Sequence, residues 1–425
     1  MRVLWFTNDP LPAVHRLAGR ECAAHGGTWM PTLLHHLSRM PHIHVDVAAA
    51  HRGSSDGQVA VDGVNYFVIG QPRYQSYFSC TKKDLEKCLA IIRQTEPDVI
   101  HIHGTERFYG LIAARKLTRT PCVISLQGLL GPYVTSFFGA LTARDLRRSE
   151  RLLDLLTRRS LFWMYRDYCA GARREREVLA GANALMGRTE WDRAHLKSVN
   201  PRAKYYHVGE ILRDDFRAKS WDIAGCRRHS ILFTNVGEPR RGIEILLRAM
   251  LSIRRDFPDV QLRLAGEIGN RRGYHRFVRR MIAESGLTPN VELLGYLDAR
   301  ALVRELSGAH VFAIPSYIEN SPNSLCEAMQ VGVPCVATYA GGIPSLIQHH
   351  HTGLLYPRED APLLAEAIMK IFRDDDLACR LGRSGRVEAL ERHAPERVLS
   401  QLLNAYQEVA ANGRFVRLTQ PAVAV

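Results

Sequence analysis

Residues 310–342 read HVFAIPSYIENSPNSLCEAMQVGVPCVATYAGG. The apolar run HVFAIPS predicts a strand that ends near Pro315. SYIEN then forms a polar loop beyond its carboxyl end. Ser321-Pro322 predicts a helix start, with serine at the N-cap and proline at the first helical position. SLCEAMQVG continues as the helix and closes at Gly332. PCVATY predicts a second strand, followed by the Gly341-Gly342 turn. A strand, a crossover helix and another strand imply parallel pairing.

In open α/β sheets, ligands bind beyond the carboxyl ends of the strands. Glu319 therefore sits on the rim of a crevice, and Glu327 projects from an early turn of the helix. The free N–H groups of a helix start favour phosphate. Two carboxylates placed this way can accept hydrogen bonds from neighbouring hydroxyls, as on a ribose or a hexose. On these residues alone, a surface acid beside a helix-dipole acid is an equal reading.

The same alternation fills the chain. MRVLWF, VDVAAA, YFVIG, DVIHIHG and CVISLQG predict strands, with helices such as DLEKCLAIIRQ and LIAARKL between some of them. A second series, SILFTNVG, QLRLAGE, VELLGYL, HVFAIPS and PCVATY, begins after residue 225 and is interleaved with IEILLRAMLSIRRDF and FVRRMIAESG. Two such series imply two doubly wound α/β domains. The 425 residues, 46% of them hydrophobic, also favour two domains of roughly 200 residues each. The boundary falls in the polar stretch 213–229. The expected division is 1–215 and 225–394, with 395–425 packing back on the first domain.

MRVLWF reads as a buried strand and not as a signal peptide. No run of about 18 apolar residues is present. The nine cysteines are scattered without C-x-x-C spacing, which disfavours a zinc site or a disulfide framework and fits a reducing cytoplasm. The net charge of +14 favours anionic partners without choosing among nucleic acid, nucleotide phosphate and anionic lipid. Residues 141–180 interleave arginine with Leu, Phe, Trp and Tyr. They read as one or two helices, either packed on a core with solvated basic faces or docked on anionic lipid.

His101 and His103 lie two apart in a strand and share a face. His103, next to Gly104, reads either as a group contacting sugar or acceptor or as a buried, hydrogen-bonded histidine. His349-His350-His351 reads as a solvated turn, and Asp374-Asp375-Asp376 as a helix-flanking charge cluster. No metal is expected.

Glu319, Glu327-Ala-Met, Gly332, Pro334, Gly341-Gly342, Ile347 and Gly353-Leu-Leu stand in the order of a known signature. This pattern resembles the retaining GT-B glycosyltransferases of family 4, whose mark is E-x7-E followed by EAM-x-x-G-x-P. HGGTW at 25–29, PDVIHIHG at 97–104, EPRRGIEILLRAM at 238–250, LAGE and LLGYL are similar to further landmarks. GRTEWDRAHLKSVNPRAKYYHVGEILRDDF at 187–216 looks like a subgroup that builds bacterial surface or exopolysaccharides.

The resemblance implies sugar transfer from a nucleotide-diphosphate sugar, UDP before GDP, with retention and no cofactor. It implies two Rossmann-like domains facing a cleft, the donor held mostly by the second. Glu327 would hold the ribose and Glu319 the donor sugar. Arg241, in the family's lysine position, and Arg240 would bind the diphosphate. Backbone at Asn323, Ser324 and Leu325, with Gly26 and Gly27 opposite, would complete the phosphate cradle, and Gly237, Gly266 and Tyr296 fall on the nucleotide side. Gln127-Gly128 stands where many members carry a histidine beside the sugar, and Ser345 replaces the family's last glutamate. The acceptor would be a saccharide, lipid-linked in a polysaccharide pathway. That would place the protein in the cytoplasm, with peripheral contact to the inner membrane face through 141–180. An epimerase or phosphorylase of the same fold, or a basic nucleic-acid binder, are the alternatives; neither explains E-x7-E-A-M as well.

Overall fold

The structure is a computed structural model that describes residues 1–17, 29–269 and 273–419, with side chains through residue 412. Gly26 and Gly27 lie outside the described residues. The chain divides into two compact units. The first comprises Met1–Gly131, Asp167–Ile211 and His393–Val425, and the second Pro132–Arg166 and Leu212–Arg392.

In the first unit the strands are β1 (Arg2–Thr7), β2 (His44–Arg52), β3 (Gly57–Val61), β4 (Val64–Gln71), β5 (Val99–His103), β6 (Cys122–Ser125), β7 (Ala184–Gly187) and β8 (Lys204–His207). They form one sheet in the order β3-β4-β2-β1-β5-β6-β7-β8. Among the described strands of this sheet only β3 pairs antiparallel, with β4. Strands covered on both faces read as continuous apolar runs, because alternate side chains enter different cores. In β1, Val3 and Trp5 join one buried cluster while Leu4 and Phe6 join the other.

The helix Pro395–Thr419 closes the first of these cores with Val398, Leu402 and Tyr406. Trp5 Nε1 donates to the Tyr406 hydroxyl at 3.0 Å, and His101 Nδ1 lies 2.6 Å from the same oxygen. A tyrosine hydroxyl that accepts from tryptophan gives its one proton to the imidazole. His101 is thereby the Nε2–H tautomer, and Nε2 donates to Ser125 Oγ at 2.6 Å. Burial pushes the His101 pKa down to about 3.

The second sheet contains β9 (Ser230–Thr234), β10 (Gln261–Ala265), β11 (Val291–Gly295), β12 (Val311–Ile314), β13 (Cys335–Thr338) and β14 (Leu354–Tyr356). Its order is β11-β10-β9-β12-β13-β14, and all neighbours are parallel. The chain winds outward from β9 on one side and from β12 on the other. The topological switch point therefore lies between β9 and β12, where a crevice opens beyond the strand ends.

The unit boundaries differ from the sequence expectation. They fall at Ile211/Leu212 and Arg392/His393, and 132–166 belongs to the second unit rather than the first. Long-range bonds explain this. Arg276 Nε donates to the Ser149 carbonyl at 2.8 Å, and Arg276 also pairs with Asp154. Arg280 Nη1 donates to the Arg148 carbonyl at 3.1 Å. The stretch 141–180 forms three helices, Ala143–Ser149, Leu152–Leu156 and Leu161–Gly181, instead of one or two. Thr142 and Asp145 form a capping box at the first.

Candidate functional site

Two loops meet beyond the switch point. After β9, the chain makes a short turn at Pro239–Arg241 and enters the helix Ile243–Asp256 through Gly242, whose φ is 72°. After β12, residues 315–322 form the loop that carries Glu319. A Cβ at Gly242 would overlap the Pro315 carbonyl oxygen, so only glycine lets the two loops touch. Tyr317 N donates to the Arg240 carbonyl at 2.9 Å and fixes the contact. From below, Gly341 (φ 56°) lies so close to the Glu319 carbonyl that a side chain there would overlap it, and Gly342 N donates to that oxygen at 2.9 Å.

Glu319 is thus a rigidly placed carboxylate, 4% exposed. Its Oε1 takes the Arg241 guanidinium and accepts from Ser316 Oγ at 3.1 Å, and its Oε2 lies 3.7 Å from Arg240 Nη1. Arg240 also pairs with Glu238 at 2.8 Å and lies over the Tyr133 ring at 4.5 Å. A buried carboxylate is retained when guanidinium groups compensate its lost hydration.

Glu327 lies in the helix Asn323–Val331, also 4% exposed. Its Oε1 accepts both Nε (3.1 Å) and Nη2 (2.7 Å) of Arg213. Burial pushes the Glu327 carboxyl up, and Arg213 pulls it back. The helix start is one residue later than expected. Pro322 is the N-cap, and no side chain caps the helix. The Leu325 N–H, expected to face phosphate, is used within the first turn by the Pro322 carbonyl at 3.0 Å. Among the described residues, no partner takes the N–H groups of Asn323 and Ser324, and the buried Asn323 Oδ1 has no hydrogen-bond partner. Such a helix start suits an anion.

Two groups escaped the sequence reading. Arg213 is one; the only signal for it was that a buried Glu327 requires a cationic partner. The other is Glu244, 1% exposed, which accepts from Tyr317 Oη at 2.9 Å, Tyr274 Oη at 3.1 Å and Ala140 N at 3.4 Å. Burial pushes its carboxyl up against these donors. Through Tyr317 this network braces the Glu319 loop and ties residue 140 to it.

Gly237, Gly266 and Tyr296 follow β9, β10 and β11, at the same end of the sheet as Glu319. Gly266 has φ 126° and donates to the Gly295 carbonyl at 2.7 Å, while Tyr296 is exposed. Together, the edge offers two arginines, unused helix-start amides and two fixed carboxylates. That set can hold a diphosphate and accept hydrogen bonds from hydroxyl groups.

The first-unit residues behave differently. His103, read as either a sugar- or acceptor-contacting group or a buried histidine, is buried in the structure. It is 1% exposed, with ring centroids 3.8 Å from His101, 4.5 Å from Trp5 and 5.4 Å from Trp29. Burial and the neighbouring His101 hold its pKa well below the usual range. A central strand buried on both faces draws its side chains inward, whatever their polarity. Gln127 Oε1 accepts from Arg188 Nη2 at 3.2 Å, and Gly128 is buried beside it. Elsewhere, His349 Nδ1 accepts from Leu355 N at 2.9 Å, within the turn. Asp374 Oδ1 accepts from Leu377 N at 2.8 Å, and Asp375 pairs with Arg228 at 2.7 Å. Among the described residues no group of three or more His, Cys, Asp or Glu is arranged to hold a metal ion.

The chain is similar to known proteins in sequence and in fold. Residues 227–388 match the family model of glycosyl transferases group 1. The chain is 31% identical over 182 residues to a phosphatidyl-myo-inositol mannosyltransferase of Mycobacterium leprae, covering 43% of this chain and 46% of that one. It is 32% identical over 135 residues to the amylovoran biosynthesis glycosyltransferase AmsK of Erwinia amylovora, covering 30% and 33%. The chain spans about half the length of the curated relatives first matched. Sucrose-phosphate synthase from Thermosynechococcus elongatus superposes with a TM-score of 0.72 at 20% identity, covering 97% of this chain and all (100%) of that one. Anabaena HepE, solved in complex with UDP, superposes with a TM-score of 0.65 at 16% identity, covering 96% and 100%. The chain therefore has the GT-B fold, and the segment that holds Glu319, Glu327, Arg240 and Arg241 carries the pattern of glycosyl transferases group 1.

Proposed function

We propose that this protein is a retaining glycosyltransferase of family 4 that moves a sugar from a UDP-sugar to a saccharide acceptor. The observation that carries the reading is the grouping of Glu319, Arg240, Arg241 and the Asn323 helix start at the switch point between β9 and β12. The family match over that segment and the UDP held by a protein of the same fold support it. The acceptor class follows from the resemblance to polysaccharide-building enzymes: a growing glycan on a lipid carrier, met at the cytoplasmic face of a membrane.

In this reading Arg241 uses one nitrogen to orient Glu319 and others to hold the diphosphate, as a planar guanidinium allows. The Asn323 and Ser324 amides add fixed positive dipoles. Glu327, oriented by Arg213, accepts hydrogen bonds from the ribose hydroxyls. As the bond between the anomeric carbon and the diphosphate oxygen breaks, negative charge grows on the diphosphate, where the arginines and amides stabilise it. Glu319 stabilises the positive charge on the sugar. The acceptor oxygen bonds to the same face of the anomeric carbon and gives its proton to the departing diphosphate. No protein base and no metal enter the scheme.

Product analysis tests the reading. The purified chain is incubated with UDP-glucose, UDP-galactose, UDP-N-acetylglucosamine and their GDP counterparts, with lipid-linked and free saccharide acceptors. Release of UDP with an α-configured product is expected from an α-linked donor, with Glu319→Gln at least about a hundredfold slower. A β-configured product would reject retention. Interconverted donor sugars without transfer would reassign the chain as an epimerase.

A further inference from the structure

The segment Ala143–Phe162 carries an outward face with an unusual division of labour. In the turn of helix Leu152–Leu156, Leu152 is 72% exposed, Leu153 65% and Leu156 73%, and Phe162 nearby is 51% exposed. Leu155 is exposed as well. Arg144, Arg147, Arg151, Arg158 and Arg159 of the same segment are all exposed. The acids of the segment take no part in this face. Asp145 caps its helix through Thr142. Glu150 Oε1 accepts from Leu161 N at 3.1 Å. Asp154 is buried, accepts from Arg151 N at 3.0 Å and pairs with Arg276. What remains outward is chiefly leucine and arginine.

An isolated exposed leucine is ordinary, but clustered exposed leucines mark an interaction surface. The rim of arginines selects the partner by charge. Trp163 adds a fixed indole: its Nε1 donates to the Leu155 carbonyl at 2.8 Å, and Arg158 lies over its ring at 4.8 Å. Aromatic rings with a polar edge favour the headgroup region of a bilayer, and arginines favour anionic lipid. The helix is too short to span, and among the described residues no helix is long and apolar enough to cross a membrane.

We propose that the Leu152–Leu156 turn and the arginines around it form a docking surface for an anionic bilayer. The leucines enter the boundary between headgroups and acyl chains, and the arginines meet the lipid phosphates. Within the second unit, Arg276 and Arg280 of the helix Gly273–Glu284 hydrogen-bond the carbonyls of Ser149 and Arg148 and tie the segment to that helix. Vesicle binding and sugar transfer are separate readouts, so this inference stands or falls independently of the transfer reading.

The test is co-sedimentation of the full chain with vesicles of phosphatidylcholine alone, or with roughly 30% phosphatidylglycerol, where the surface potential attracts basic segments. Two variants are compared with the wild type: Leu152, Leu153, Leu155 and Leu156 all to Ser, and Arg147, Arg158 and Arg159 all to Glu. Thermal midpoints confirm that both fold. Binding to the anionic vesicles, reduced about tenfold or more by each variant, supports the surface. Undiminished binding by the folded serine variant overturns it, as does equal binding to neutral vesicles. Wild type that leaves the vesicles in solution yet sediments as a dimer, with the serine variant monomeric, also overturns it and assigns the face to a second copy of the chain.

Discussion

Arg213 places two nitrogens on one oxygen of Glu327, at 2.7 and 3.1 Å, although 114 residues separate them. The pair joins the residue at the N-cap of helix Asp214–Ala218 to the helix that begins at the site. Removing one partner leaves a buried charge uncompensated. Arg213→Met is therefore expected to lower stability by about 3 kcal/mol, while the double variant Arg213→Met/Glu327→Gln recovers most of that loss. Urea unfolding of the four proteins measures the coupling; additive effects would show that the pair is not coupled.

The same pair makes a pH prediction. Burial already pushes the Glu327 carboxyl up, and Arg213 opposes it. Without Arg213 the protonated form gains further, so nucleotide affinity in Arg213→Met should weaken as pH falls from 8 towards 6. The wild type should show the smaller dependence. Titration calorimetry at several pH values checks this, and parallel profiles for the two proteins would contradict it.

Tyr317 gives a third prediction. Its hydroxyl donates to Glu244 at 2.9 Å, two residues before Glu319. Tyr317→Phe leaves the buried carboxylate short of a donor, which costs about 1–3 kcal/mol. Because the Glu319 loop loses its brace, kcat is expected to fall more than KM changes. Glu244→Gln keeps an acceptor at that place and should retain more activity. A variant that unfolds no earlier and turns over normally would remove Glu244 from the account.

What the sequence disclosed, and what it withheld, follows from range. The β12–helix–β13 unit was legible because HVFAIPS, SLCEAMQVG and PCVATY each carry a local pattern, and Gly332 and the Gly341-Gly342 pair punctuate them. The short strands Gly57–Val61, Ala184–Gly187, Lys204–His207 and Leu354–Tyr356 were not; GQVAV and KYYH, for example, lack a continuous apolar run bounded by turn residues. Glu319 and Glu327 stood out by spacing. Arg213 and Glu244 did not, since their roles come from partners far away in the chain. For His103 the sequence left a sugar- or acceptor-contacting and a buried reading open; its ring lies beside those of Trp5 and Trp29.

His101 supplies a prediction on acid stability. Its folded pKa is depressed to about 3, against about 6.5 in the unfolded chain. The unfolded state thus binds the proton first, and the stability carried by neutral His101 is lost as pH falls below 6.5 towards 3. His101→Gln lacks this proton. Its deficit relative to wild type should shrink by about 2–3 kcal/mol between pH 7.5 and 4.5. Denaturant titrations at the two pH values check it; a constant deficit would mean that burial does not hold His101 neutral.

The most direct test of the donor site is a thermal-shift series with UDP, GDP, ADP, CMP and dTDP on wild type, Arg241→Ala and Glu327→Ala. A ligand that binds only the native state raises the midpoint. UDP is expected to raise the wild-type midpoint, Arg241→Ala to lose most of the shift through the diphosphate, and Glu327→Ala to lose it through the ribose. A UDP shift that is equal in all three proteins, or no shift with any nucleotide, would contradict a donor site at the β9–β12 switch point.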